Sequence, residues 1–203
     1  MNLKTFRPII ICLVLPSWLA IVPPAGDCQA DTVDKAAFAT ADVGLQTVVS
    51  TNRGDFHRYW TSSPGLEGYV STPFYRGDIQ LGGRMVSFES RTGDVTDYLS
   101  VFVYAGWGLS WALPYNVKGF TGFNIGSDQM LFEFEDRPGS KHESEFGMTL
   151  NVSLSAPLRG RWSVTAGGNY SEIFTYNRIR LVFVSVGLSR SFDLPVWLKE
   201  FLK

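Results

Sequence analysis

The stretch KHESEF places His142 and Ser144 one residue apart. On an extended chain, alternate side chains share a face, so these two would stand side by side. An imidazole beside a hydroxyl is the start of an acyl-transfer triad. The imidazole takes the hydroxyl proton, and a carboxylate orients the imidazole. Glu172, in GGNYSE, is the candidate acid. If the segments around PLRG pair with Ala156 opposite Trp162, Glu172 falls opposite Phe146, diagonal to Ser144 on the same face. The competing reading of EDRPGSKHES is a polar loop tip with an exposed edge.

Other polar residues alternate with apolar ones, and by parity they share an interior face. These are Glu67, Tyr69, Asp78, Gln80, Arg84, Tyr104, Lys118, Asn124 and Asp128. Acids and bases fall on neighbouring segments, and an unpaired buried charge is costly, so Glu67, Asp78, Arg84, Lys118 and Asp128 are expected to form a polar network. NRGDFHRYW gathers Arg53, Arg58, Tyr59 and Trp60 around Phe56 and His57, the residue types that recognition surfaces use. Arg178 and Arg180 are placed to meet lipid phosphates or to be balanced by Glu172. No metal-ligand cluster, phosphate-binding glycine loop or nucleophile elbow is present, and no cofactor is expected.

These residues are positioned by a chain with distinctive ends. Lys4 and Arg7 precede the apolar run PIIICLVLPSWLAIV, and PPAGDCQA follows. That order reads as a secretory signal peptide over 1–30, too short and too interrupted by Pro16 for a spanning helix. Cys12 and Cys28 both lie within it, so no disulfide framework or thiolate metal site is expected afterwards. Lys and Arg number 18 against 19 Asp and Glu, which leaves no basic footprint for nucleic acid. No later run is apolar enough for a transmembrane helix.

After a periplasmic N-terminal segment, 31–41, the chain alternates with period two as far as Phe192. In FGMTLNVSLSA, Phe146, Met148, Leu150, Val152 and Leu154 form one face; Gly147, Thr149, Asn151, Ser153 and Ser155 form the other. Such alternation predicts strands with two unlike faces. Eight are expected, near 42–51, 64–73, 76–90, 97–113, 115–133, 144–156, 160–174 and 177–192. Short connections (TPFYRG, LPYN, PLRG) alternate with mostly longer polar ones, as in barrels with periplasmic turns and external loops. A soluble barrel would carry Lys and Glu on its polar face. Here that face is mainly Ser, Gly, Thr and Asn, which suits a narrow interior. Trp107, Trp111, Trp162 and Tyr170 are expected to form aromatic girdles.

The last strand, SVGLSRSF, is similar to the terminal assembly signal of bacterial outer-membrane barrels: Ser185, Gly187 and Phe192 fit, and Arg190 stands where an apolar residue is usual. The span 42–192 resembles the small eight-stranded barrels, such as the OmpA membrane domain and OmpX. The resemblance implies an all-β antiparallel transmembrane barrel in the outer membrane of a Gram-negative bacterium. It also implies insertion by the barrel-assembly machinery and contact with outer-membrane lipids and lipopolysaccharide. The expected state is a monomer with a plugged polar interior, acting structurally or through its loops. Lipid A deacylases, also small outer-membrane barrels, use a His-x-Ser pair with a carboxylate, which makes an acyl hydrolase the alternative; where GGNYSE comes nearest to their pattern, the His position is Asn169. A soluble periplasmic lipid-binding barrel is the third reading. Beyond Phe192, DLPVWLKEFLK changes period. Leu194, Trp197, Leu198, Phe201 and Leu202 fall on one helix face, so an amphipathic helix is expected over 193–203, with Asp193 as its N-cap.

Overall fold

The computed structural model describes residues 37–51, 56–92, 95–132 and 142–197. The expected signal peptide over 1–30 lies outside them, as do residues 198–203 of the expected helix. The strands are β1 (Thr40–Ser50), β2 (Trp60–Ser62), β3 (Gly65–Phe74), β4 (Gly77–Ser90), β5 (Tyr98–Ala112), β6 (Lys118–Phe132), β7 (His142–Pro157), β8 (Trp162–Ile173) and β9 (Ile179–Asp193), with a one-turn helix α1 (Phe56–Tyr59) before β2. Every neighbouring pair is antiparallel, and β1 pairs with both β3 and β9. The β4–β5 pairing completes the ring, so eight strands make a closed barrel with no free edge. The wall begins at Thr40, inside the segment expected to precede it. The first loop was expected to be strand-free, but β2 follows α1 there and pairs only with β4. Pro64, which cannot donate to a ladder, falls in the gap between β2 and β3.

The two faces follow the alternation. Leu45 (62% exposed), Val103, Leu150, Val152, Val184, Val186 and Leu188 point outward. A continuous exposed apolar belt of this kind on a closed sheet is what a membrane-spanning barrel presents to lipid. Among the described residues no helix is long and apolar enough to cross a membrane. Trp107, Trp111, Trp162 and Tyr170 all face outward. One row of register partners runs Trp107–Phe123–Leu150–Tyr170 across β5, β6, β7 and β8. The inward face is narrow enough that glycines take the place of side chains. Tyr104 lies over its cross-strand partner Gly82, where a Cβ would sit 2.6 Å from the tyrosine hydroxyl.

The β7–β8 turn differs from expectation. Leu158 donates to the Trp162 carbonyl (2.8 Å), enclosing Arg159, Gly160 and Arg161, with Gly160 in the left-handed region at φ 71°. That is a three-residue hairpin turn, centred one residue later than assumed. The register moves by two, which preserves the faces but changes the partners: Ala156 pairs with Val164, and Glu172 with Met148. At the chain's end, Asp193 belongs to β9 and its carboxylate accepts from Arg161 (2.6 Å), so it is not a helix cap. Helical backbone begins at Val196.

Candidate functional site

The turn end of the lumen is polar. Asp78 accepts from Lys118 Nζ (2.7 Å) and Ser110 Oγ (2.5 Å), and Lys118 also lies 3.6 Å from Asp42. Serines, threonines and amides from six strands surround this group. Their short side chains leave a cavity of about 150 Å³ that reaches Asn116 in the β5–β6 turn. Tyr69 and Gln80 line it; Asn124 is buried deeper.

Above it lies a charged layer set by register. Glu67 on β3 faces Arg84 on β4, Arg84 faces Phe102 on β5, and Phe102 faces Asp128 on β6. Glu67 accepts from Tyr104 Oη (2.6 Å), Gln46 Nε2 (3.0 Å) and Asn169 Nδ2 (3.4 Å). Asp128, fully buried, accepts from Ser100 at both oxygens (2.9 and 3.1 Å). Arg84 donates Nη2 to Ser171 Oγ (3.0 Å), and its guanidinium lies 4.1 Å from the Phe183 ring centroid and 5.3 Å from that of Phe102. The cation is thus held by an aromatic face and a hydroxyl as well as by the field of two acids.

Beyond Arg84 the lumen turns apolar. Val48, Val86, Phe88, Tyr98, Met130, Ile173, Leu181 and Phe183 form one buried cluster, with Phe56, Trp60, Phe132 and Ile179 packed on it. This departs from a wholly polar interior. The signal is in the sequence: MVSF (85–88) and LVFV (181–184) keep apolar residues on both parities, as strands buried on both faces do. Phe88 stacks on Tyr98 (4.9 Å), Phe56 meets Phe88 edge-on (5.2 Å), and Trp60 stacks on Phe56 (5.0 Å).

Helix α1 and β2 fold over this cluster. Trp60 is half-buried and donates its indole N–H to the Thr96 carbonyl (3.1 Å), while Arg58 and Tyr59 are exposed; Arg53 lies outside the described residues. His57 Nε2 is 3.2 Å from Ser50 Oγ, and burial, then Arg91, hold its pKa below the usual histidine value. Between α1 and the β8–β9 loop a cleft of about 860 Å³ remains. Phe56, Trp60, Tyr98, Met130, Phe132 and Ile179 form its floor; Arg178, Arg180, Glu143 and Glu145 stand on its rim.

The acyl-transfer candidates are not assembled. Ser144 hydrogen-bonds Ser127 (3.0 Å) and Gln129 (2.7 Å), and His142 bonds Gln129, whose amide thus stands between the two. Glu172, two register positions from where a triad needs it, pairs with Arg178 and Arg180 at 3.4 Å each. Among the described residues no three His, Cys, Asp or Glu side chains come together to hold a metal ion.

No protein-family model matches this chain, and no curated protein matches it. Solved structures do. Neisserial surface protein A superposes with a TM-score of 0.57 at 9% identity, covering 78% of this chain and 99% of that one. The N-terminal barrel domain of Pseudomonas aeruginosa OprF gives 0.51 at 8% identity, over 77% and 99%. Ail, the attachment invasion locus protein of Yersinia pestis, in complex with the heparin analogue sucrose octasulfate, gives 0.50 at 12% identity, over 75% and 97%. The likeness is one of fold: this chain has the architecture of the small eight-stranded outer-membrane barrels.

Proposed function

We propose that the protein is a monomeric outer-membrane barrel, closed to solutes, that binds an amphiphilic ligand at its external mouth. The exposed apolar belt and the outer-membrane fold support the location. The closed ring supports the monomer, since its eight wall strands leave no edge to pair and β2, which has one, is three residues long. The observation that carries the function is the apolar cluster in the outer half of the lumen. It fills the space a pore would need, and its upper surface is the floor of the 860 Å³ cleft. An aromatic and aliphatic floor under a rim that carries Arg178 and Arg180 together with Glu143 and Glu145 suits an alkyl tail with a polar head; a phosphate head would compete with Glu172 for the arginines.

The test is planar-bilayer recording of the purified protein with and without a single-chain alkyl phosphate, alongside Trp60 fluorescence in a variant keeping only that tryptophan. The expected result is no steady conductance and a saturable fluorescence change. A stable open channel would refute the closed lumen, and no fluorescence response would refute the external site. The hydrolase reading predicts loss of lipid A processing in Ser144→Ala. Nothing in the surroundings of Ser144 favours it.

A further inference from the structure

We propose that the outer wall of β1 and β9 carries a binding site for a glycerophospholipid, with Arg190 taking its phosphate. The proposal rests on the outer-membrane reading above. Arg190 faces away from the lumen; on that face of β9 its neighbours from Val182 to Phe192, namely Val182, Val184, Val186, Leu188 and Phe192, are apolar, and Arg180 lies at the far end of the strand. Its cross-strand neighbours are Trp162 and Val43. Its guanidinium lies 5.4 Å from the Trp162 ring centroid and 5.1 Å from that of Phe192. Among the described residues no acid pairs with it: Asp193, three residues on, is held by Arg161 at 2.6 Å.

A guanidinium on the lipid face is costly at the bilayer centre and less so near the interface. Arg190 stands near the turn end of β9, level with Trp162, the first residue of β8. Two aromatic rings flank the guanidinium there. A held, planar set of donors facing lipid fits a phosphate in two-point geometry. A groove of about 570 Å³ starts at Trp162, Arg190 and Phe192 and runs on past Val43, Leu45, Leu66, Val186 and Leu188. Beyond the arginine its lining is mainly apolar, with Thr47 and Gln46 as polar members. An occupant that satisfies both parts carries an anion and an alkyl chain on one molecule, placed with its head at the turn side. A glycerophospholipid of the periplasm-facing leaflet has that form. Residues 198–203, which include Glu200, are the rival occupant.

The experiment is native mass spectrometry of the full mature protein, delipidated in non-ionic detergent and titrated with phosphatidylglycerol or with diacylglycerol of the same chains. The expected result is one retained phosphatidylglycerol, bound at least tenfold more tightly than diacylglycerol. Arg190→Gln should reduce it to the diacylglycerol level, Arg190→Lys should keep part of the preference, and Val186→Trp should weaken both lipids by filling the groove. Equal binding of the two lipids, or no loss in Arg190→Gln, overturns the proposal. So does a tenfold gain on truncation after Val196, which would make the tail the occupant. A heat-shifted gel band in every variant separates loss of the site from loss of the fold. Recovery of the protein in the soluble periplasm would refute the membrane reading independently of these affinities.

Discussion

Replacing Arg84 with Met removes the cation of the charged layer while keeping most of its volume. Arg84 is 4% exposed, and Glu67 and Asp128 act on it from the neighbouring strands. Its loss leaves two buried carboxylates with hydroxyl, amide and phenol donors but no positive charge. Neither acid touches the guanidinium, so the loss is set by their field together with the Ser171 hydrogen bond, and a hydrogen bond made by a charged group is worth about 1.5–3 kcal/mol. That is about ten- to a hundredfold in the folding equilibrium constant. The hydrogen bond to Ser171 and the contact with the Phe183 ring lie within that figure, because neither is separable from the charge. Urea unfolding in phospholipid vesicles, followed by tryptophan fluorescence, measures the loss. Asp128→Asn in the Arg84→Met background should restore at least about 1 kcal/mol, within the range of coupling between groups in one network. A single-variant cost under about 1 kcal/mol, or no restoration by Asp128→Asn, would show that Arg84 serves as packing and that the charge argument is wrong.

Two further outcomes follow from the outer end. Because His57 titrates below the usual 6.5 in the folded loop, the unfolded loop binds more protons between the two values. Its contribution is full above about pH 6.5 and is lost as pH falls through the folded value, so the near-ultraviolet circular dichroism of the Phe56–Trp60–Tyr98 cluster should weaken on acidification, and His57→Gln should abolish that dependence. An unchanged pH profile in the variant would contradict the assignment. The Tyr98 hydroxyl is buried without a hydrogen-bond partner among the described residues, and an unsatisfied buried donor costs about 1–3 kcal/mol. Tyr98→Phe should therefore unfold in urea at an equal or higher midpoint; a clear drop would reveal a partner for the hydroxyl.

The walls were legible because a barrel strand needs only alternation, and alternation survives errors of a residue or two at strand ends. β7 shows this: Phe146 to Leu154 alternate outward and Gly147 to Ser155 inward, as read. Register was less legible. It depends on where a turn is centred, and Gly160 in PLRG could be a last turn residue or a central left-handed one. Only the second allows the Leu158–Trp162 pairing, and that choice carried Glu172 away from Ser144. The acid's removal from the proposed triad is thus a consequence of one glycine's backbone conformation. α1 and β2 were hidden for another reason. They are held by packing on Phe88 and Tyr98, distant in sequence, and four and three residues are too few to show a period.

The lumen was half legible. Parity placed Glu67, Arg84 and Asp128 inside but carried no information about height along the axis, so it did not reveal that the polar and apolar interiors occupy opposite ends. That division explains the layer between them. At the turn end, Ser, Thr and Asn leave space that water can enter. At the loop end, Phe88, Tyr98, Met130 and Phe183 are buried together in one apolar cluster. Charges are tolerable only on the wet side of this boundary or at it, where hydroxyls and amides can still reach them. Arg84 sits at the boundary, with Ser171 on one side and the face of Phe183 on the other. A cation placed there stays within the field of Glu67 and Asp128 while its guanidinium rests on the Phe183 ring, so a charged layer can adjoin the apolar end of the lumen.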